Sequence, residues 1–212
     1  MLPRYYTVKE YGEHEIVIQK SRFIAHVARA ETEEKAQDFI QQIKKKHWDA
    51  THNCSAYMIG ENDQIQKAND DGEPSGTAGV PILEVLKKKH LKDTVVVVTR
   101  YFGGIKLGAG GLIRAYGKSA SEGINETGIV ERKLMRVMHT KVDYTWLGKL
   151  ENELRSSVYS IKEIHYLESV EIETFVEEEQ TENFTNWMVE LTNGQAEISA
   201  GDQLYLEEEV AK

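Results

Sequence analysis

Four consecutive valines, Val95 to Val98, sit inside the segment Thr94–Tyr101. A strand with one wet face alternates apolar and polar residues; an unbroken β-branched run has no wet face and must be covered on both sides. The segment therefore predicts a central strand of a sheet with other structure packed above and below it. The neighbouring pattern supplies that cover. Ala36, Phe39, Ile40 and Ile43 follow helical spacing and predict a helix over about 32–47, with Thr32 as its N-cap and Glu33 and Glu34 near its positive end. Pro81 suits the first turn of a short helix that reaches about His90, and Leu112, Ile113, Tyr116, Ala120 and Ile124 mark the apolar side of another. Ile16 and Ile18, Phe23 to Val27, 52–59 and 64–68 read as further strands.

The pattern restarts near residue 134, after a short boundary around Gly128 to Arg136. Met138, Thr140, Val142 and Tyr144 alternate as a strand, and Trp146, Leu150, Leu154 and Val158 repeat as a helix. Strands near 160–167 and 170–178, a helix through Phe184, Trp187, Met188 and Leu191, and a last strand or pair over about 195–208 complete a β-α-β-β-α-β order. That order is ferredoxin-like. The expected organisation is two domains, 1–132 and 133–212, of mixed α+β class.

Charge separates the same two parts. Residues 1–135 carry 20 Lys and Arg against 18 Asp and Glu, whereas residues 136–212 carry 6 against 17. The second part repels polyanions, so a nucleic acid or phosphate must be met by the first. A single cysteine, Cys54, excludes an intramolecular disulfide and a multi-cysteine zinc site. With no apolar run near membrane length and no secretory-type start, the expectation is a cytoplasmic chain with no membrane partner. Its oligomeric state is not legible.

Two loops hold the residues that can carry chemistry. From Arg100 and Tyr101 the chain passes through Gly103, Gly104, Lys106, Gly108, Gly110 and Gly111 to Arg114 in a helix. Glycines allow close backbone approach, a helix start offers unpaired N–H groups, and the three cations add full charge, which together suit a phosphate or carboxylate. The spacing fits neither the dinucleotide fingerprint nor the P-loop. Tight strand-to-helix packing explains the same glycines equally well. The other loop, Asn69 to Gly79, places Asp70, Asp71 and Glu73 within four positions. They suit either a hard cation or pairing with Arg100, Lys106 or Arg114 that ties the loops together. His52 and Cys54 share a face of one predicted strand, where a lone cysteine is most simply a buried thiol. Lys44 to Lys46 and Lys87 to Lys89 end two predicted helices and suit either helix-end stabilisation or steering of RNA. No metal-ligand set, cofactor motif or nucleophile–base pair is legible.

Both loops, Asn69 to Gly79 and Thr99 to Tyr116, resemble the two signature stretches of the Impact family, and His52 with the Ala56-Tyr57 pair fits the same pattern. The resemblance covers about residues 15–125, and the part after about 135 resembles the companion domain of bacterial members. It implies a ribosomal-protein-domain-2-like α/β fold for the first domain, shared with elongation factor G domain IV and some small-molecule kinases. It implies a fold similar to elongation factor G domain V for the second. Eukaryotic Impact proteins regulate translation by competing for the activator of the amino-acid-starvation kinase and carry an extra N-terminal domain, which is not expected here because the strands begin almost at Met1. The resemblance thus implies a translation-linked binding protein that contacts ribosome, RNA or a translation factor through His52, Asp70, Asp71, Glu73 and the Arg100–Arg114 loop. The alternative is an enzyme acting on a phosphorylated small molecule or nucleotide, although the serine-rich motif of the kinase relatives is missing.

Overall fold

The computed structural model describes residues 1–210, in two compact units: Met1–Arg132 joined by the chain from Glu207 on, and Lys133–Leu206. The fold is α+β, with two five-stranded sheets and five α-helices among the described residues. No described helix is long and apolar enough to cross a membrane.

The first unit is built on β2 (Tyr11–Ile18), β3 (Ser21–Arg29), β4 (His52–Ile59), β5 (Ile65–Asn69) and β6 (Thr94–Tyr101), in the antiparallel order β2-β3-β6-β4-β5. The valine strand is β6, at the centre, and all four valines are fully buried. Val96 and Val98 face a core with α2 (Gly79–Lys88) and α3 (Gly108–Thr127). Val95 faces the other way, toward α1 (Glu33–Lys46). Each buried valine contributes about 1.5–3 kcal/mol of transfer free energy. Thr32 caps α1 as expected, its hydroxyl accepting from the Lys35 amide at 3.2 Å.

β1 (Arg4–Val8) precedes these elements, and its half-polar sequence gives only a weak strand signal. The helix expected from Pro81 begins two residues earlier, at Gly79, because Asp70 caps it from outside the segment.

In the second unit, β7 (Ile129–Val142), β8 (Ser160–Tyr166), β9 (Val170–Glu177) and β10 (Glu197–Glu209) line up in the order β10-β7-β9-β8. The helices α4 (Tyr144–Arg155) and α5 (Thr181–Leu191) complete the ferredoxin-like arrangement. Met138, Val142, Val170, Ile172 and Val176 meet Leu150, Leu154, Phe184 and Met188 in its core. The short boundary expected around Gly128 to Arg136 falls, beyond Gly128, on β7, which runs through it unbroken. Glu207 to Val210, read from sequence as part of the second domain, pack with the first unit. Glu207 meets Arg29 and Arg132, and Glu209 meets Lys9.

Candidate functional site

Arg100, at the end of β6, stands in register between Phe23 on β3 and His52 on β4. Its side chain is buried, and its Nη1 donates to Glu73 Oε1 at 2.6 Å. The guanidinium also lies 5.4 Å from the Phe23 ring centre and 5.5 Å from that of Phe102. Tyr116, from α3, donates its hydroxyl to the same Glu73 oxygen at 2.7 Å. His52 Nε2 is 3.8 Å from the other Glu73 oxygen, while its Nδ1 donates to the Asp71 carbonyl at 2.7 Å. Glu73 is thus the pin between the two loops.

The remaining acidic residues of the first loop are also engaged. Asp70 accepts from the amides of Gly76, Ala78 and Gly79 at 2.8 to 3.0 Å. Burial works against its charge, but the three amides outweigh burial and hold the carboxyl below its ordinary value. Asp71 accepts from Lys44 Nζ and from the Asn53 amide, each at 2.6 Å. Cys54 is fully buried with its thiol on the Asp70 carbonyl, and burial pushes its pKa up to about 12. At neutral pH it is a thiol, not a nucleophilic thiolate. Tyr101 leaves this group altogether: strand alternation turns it to the opposite face, where its hydroxyl meets His47 Nδ1 at 2.9 Å and Asp49 at 3.2 Å.

The second loop opens to solvent. The Phe102 amide is taken by Thr51 Oγ1 and the Gly103 amide by Ser21 Oγ. Gly103 is required by close approach, since a Cβ there stands 2.1 Å from the Lys20 carbonyl oxygen. From Gly104 onward the loop is largely exposed, and Gly104 and Gly108 take left-handed φ values of 85° and 70°. Helix α3 begins at Gly108 with no side chain capping it. Its first N–H groups therefore carry the partial positive charge of a helix start without a carboxylate or hydroxyl to neutralise it. Arg114, one and a half turns on, folds back so that its Nη1 lies 3.5 Å from the position a Cβ on Gly110 takes. Gly111 packs against Leu107. Among the described residues, neither Lys106 nor Arg114 has a hydrogen-bond or ion-pair partner. Arg114 lines two clefts: one of about 310 Å³ with Ile18, Gln19 and Leu107, and one of about 500 Å³ with Val80, Pro81 and Ile113.

Apart from Tyr101 and the packed glycines Gly103 and Gly111, the residues singled out by sequence divide into two groups. His52, Asp70, Asp71, Glu73 and Arg100 form an internal clamp, and Gly104, Lys106, Gly108, Gly110 and Arg114 form an exposed, cation-rich rim. Sequence reasoning missed Ser21 and the hydroxyl role of Tyr116. Tyr116 lies at helical spacing among apolar residues, and nothing in that spacing separates a buried donor from a packed ring.

Two family descriptions match successive parts of the chain. The family described as Impact N-terminal domain matches residues 19–124, and Domain of unknown function (DUF1949) matches 140–195. The protein "IMPACT family member YvyE" of Bacillus subtilis (strain 168) is 72% identical over 210 residues, covering 99% of this chain and 97% of that one. The chain belongs to the Impact family. "IMPACT family member YigZ" of Escherichia coli (strain K12) is 41% identical over 111 residues, 51% of this chain and 54% of that protein. A eukaryotic relative, "Protein IMPACT homolog" of Dictyostelium discoideum, is 40% identical over 102 residues, 46% of this chain but 29% of its own length. A solved structure described as a crystal structure of an hypothetical protein superposes with a TM-score of 0.61 at 27% identity, covering 95% of this chain and 99% of its own. Within this Impact-family chain, the cation-rich rim lies inside the residues that the Impact N-terminal domain matches.

Proposed function

We propose that this Impact-family chain is a translation-linked binding protein whose first unit contacts a phosphate-bearing partner, ribosomal RNA in particular, through the start of α3. The observation that carries the reading is the placement of Arg114. Its guanidinium folds toward the uncapped, positive end of its own helix, with Lys106 exposed nearby and no carboxylate on either side chain. Like signs converge there at a cost in folding energy, and an anion relieves them. Phe102 and Ile105, both exposed beside the cations, give apolar surface for a base or sugar. The link to translation comes from the family resemblance and the relatives' fold kinship with ribosomal and elongation-factor domains, which is analogy at the level of fold.

The test is co-sedimentation of the full chain with ribosomes across a salt series. Binding that weakens steeply with salt, and weakens further in Lys106→Glu with Arg114→Glu, supports the reading. Absence of salt-sensitive association, or association that the double variant leaves unchanged, refutes it.

A further inference from the structure

We propose that the second unit carries a binding site for a divalent transition-metal ion of the zinc class on the sheet face opposite its helices, with His139, Glu171 and Glu173 as ligands. Strand alternation sends Met138, Val142, Ile172 and Val176 into the helix-covered core. The residues between them project the other way, and register brings their functional groups together. His139 on β7 is paired with Glu173 on β9, and Glu171 on β9 is paired with His165 on β8. His139 Nδ1 is 2.9 Å from Glu171 Oε1 and 3.8 Å from Glu173 Oε1. His165 Nε2 reaches the same Glu173 oxygen at 3.2 Å, with Glu163 at 3.9 Å from that imidazole. The atoms of His139, Glu171 and Glu173 all lie within 4.8 Å of one another, as do those of Glu163, His165 and Glu173.

These separations suit coordination. Ligand atoms about 2.1 Å from a tetrahedral ion stand about 3.4 Å from one another. Imidazole nitrogen with carboxylate oxygen is the donor set of zinc and its neighbours, not of calcium or magnesium. Two features fix the ligands before any ion arrives. Gly201 on β10 leaves the space that the His139 ring fills, since a Cβ there stands 2.4 Å from His139 Nε2. That seats the Nε2 edge of the ring over β10 and turns Nδ1 toward the carboxylates. Lys162 holds Glu173 Oε2, which leaves Oε1 to face both imidazoles. Because Glu173 has one oxygen to give and two dications on it repel, the site takes one ion per chain. The ligands come from β7 and β9, more than thirty positions apart in sequence, so no short spacing motif announces them.

The competing explanation is a set of cross-strand His–Glu ion pairs, worth a few tenths of a kcal/mol each. Titration of tag-free full chain with zinc chloride, followed by calorimetry, separates the two. The site predicts saturable binding of one ion per chain. His139→Ala and Glu171→Gln each weaken it at least tenfold, while His14→Ala in the first unit leaves it unchanged. If circular dichroism shows His139→Ala unfolded, His139→Gln takes its place with the same expectation. Lack of saturable binding, or equal binding by wild type, His139→Gln and Glu171→Gln, overturns the proposal. Because none of these variants touches Lys106 or Arg114, its failure leaves the ribosome reading intact, and the converse holds.

Discussion

Arg100 and Glu73 meet at 2.6 Å with both side chains almost wholly buried, and this contact ties the Asp70 loop to the end of β6. Taking one partner away leaves the other charged and desolvated. Glu73→Gln and Arg100→Met should each lower unfolding free energy by about 3–5 kcal/mol, read from urea denaturation. The double variant should cost clearly less than the sum of the two, because no charge is then stranded. Strict additivity denies the pairing.

Two helical glycines should respond with opposite signs. Gly148, in α4, has nothing within 4 Å of an added Cβ, so Gly148→Ala should stabilise by about 0.5–1 kcal/mol through helix propensity alone. Gly123, in α3, has the Ala25 side chain 2.5 Å from that position. Gly123→Ala should therefore lower the melting temperature despite the same propensity gain. A higher melting temperature in Gly123→Ala contradicts the close helix–sheet packing.

Much of this fold was legible because it obeys local rules. The valine run marked β6 as a both-sides-buried strand, and Thr32 marked the start of α1, since each signal lies within the element it describes. What stayed hidden depends on partners distant in sequence. Asp70 starts α2 from eight and nine positions away. Arg100 reads either as a cation facing a ligand or as a partner of the Asp70-loop carboxylates until β3, β4 and that loop enclose it against Glu73. The His139–Glu171–Glu173 cluster exists only through the register of β7 against β9. At the candidate site, sequence did not separate the clamp from the rim, because burial, not residue type, makes that distinction.

His26 gives the first unit an acid sensitivity of defined sign. The imidazole is fully buried, and burial pushes its pKa down to about 4, with Glu13 partly opposing and His47 and Lys46 reinforcing. An unfolded chain binds the proton near the ordinary 6.5, so the unfolded state is favoured as pH falls between about 6.5 and about 4. Urea midpoints should decline across that window and decline less in His26→Leu, whatever its absolute stability. Parallel profiles for the two proteins rule out His26 as the cause.

Arg114 should show function and stability pulling in opposite directions. Its guanidinium stands beside the positive end of α3, where a cation is unfavourable by about 0.3–1 kcal/mol at low ionic strength. Arg114→Gln removes that repulsion and leaves no carboxylate stranded, because among the described residues the guanidinium has no ion-pair partner. The variant should therefore be slightly more stable than wild type at low salt, with the difference shrinking as salt screens it. The same substitution should weaken salt-sensitive ribosome association. A residue kept only for packing gives the reverse pattern, with lower stability and unchanged binding. Denaturation and co-sedimentation on the same preparation decide between the two, since each role moves the paired measurements in its own direction.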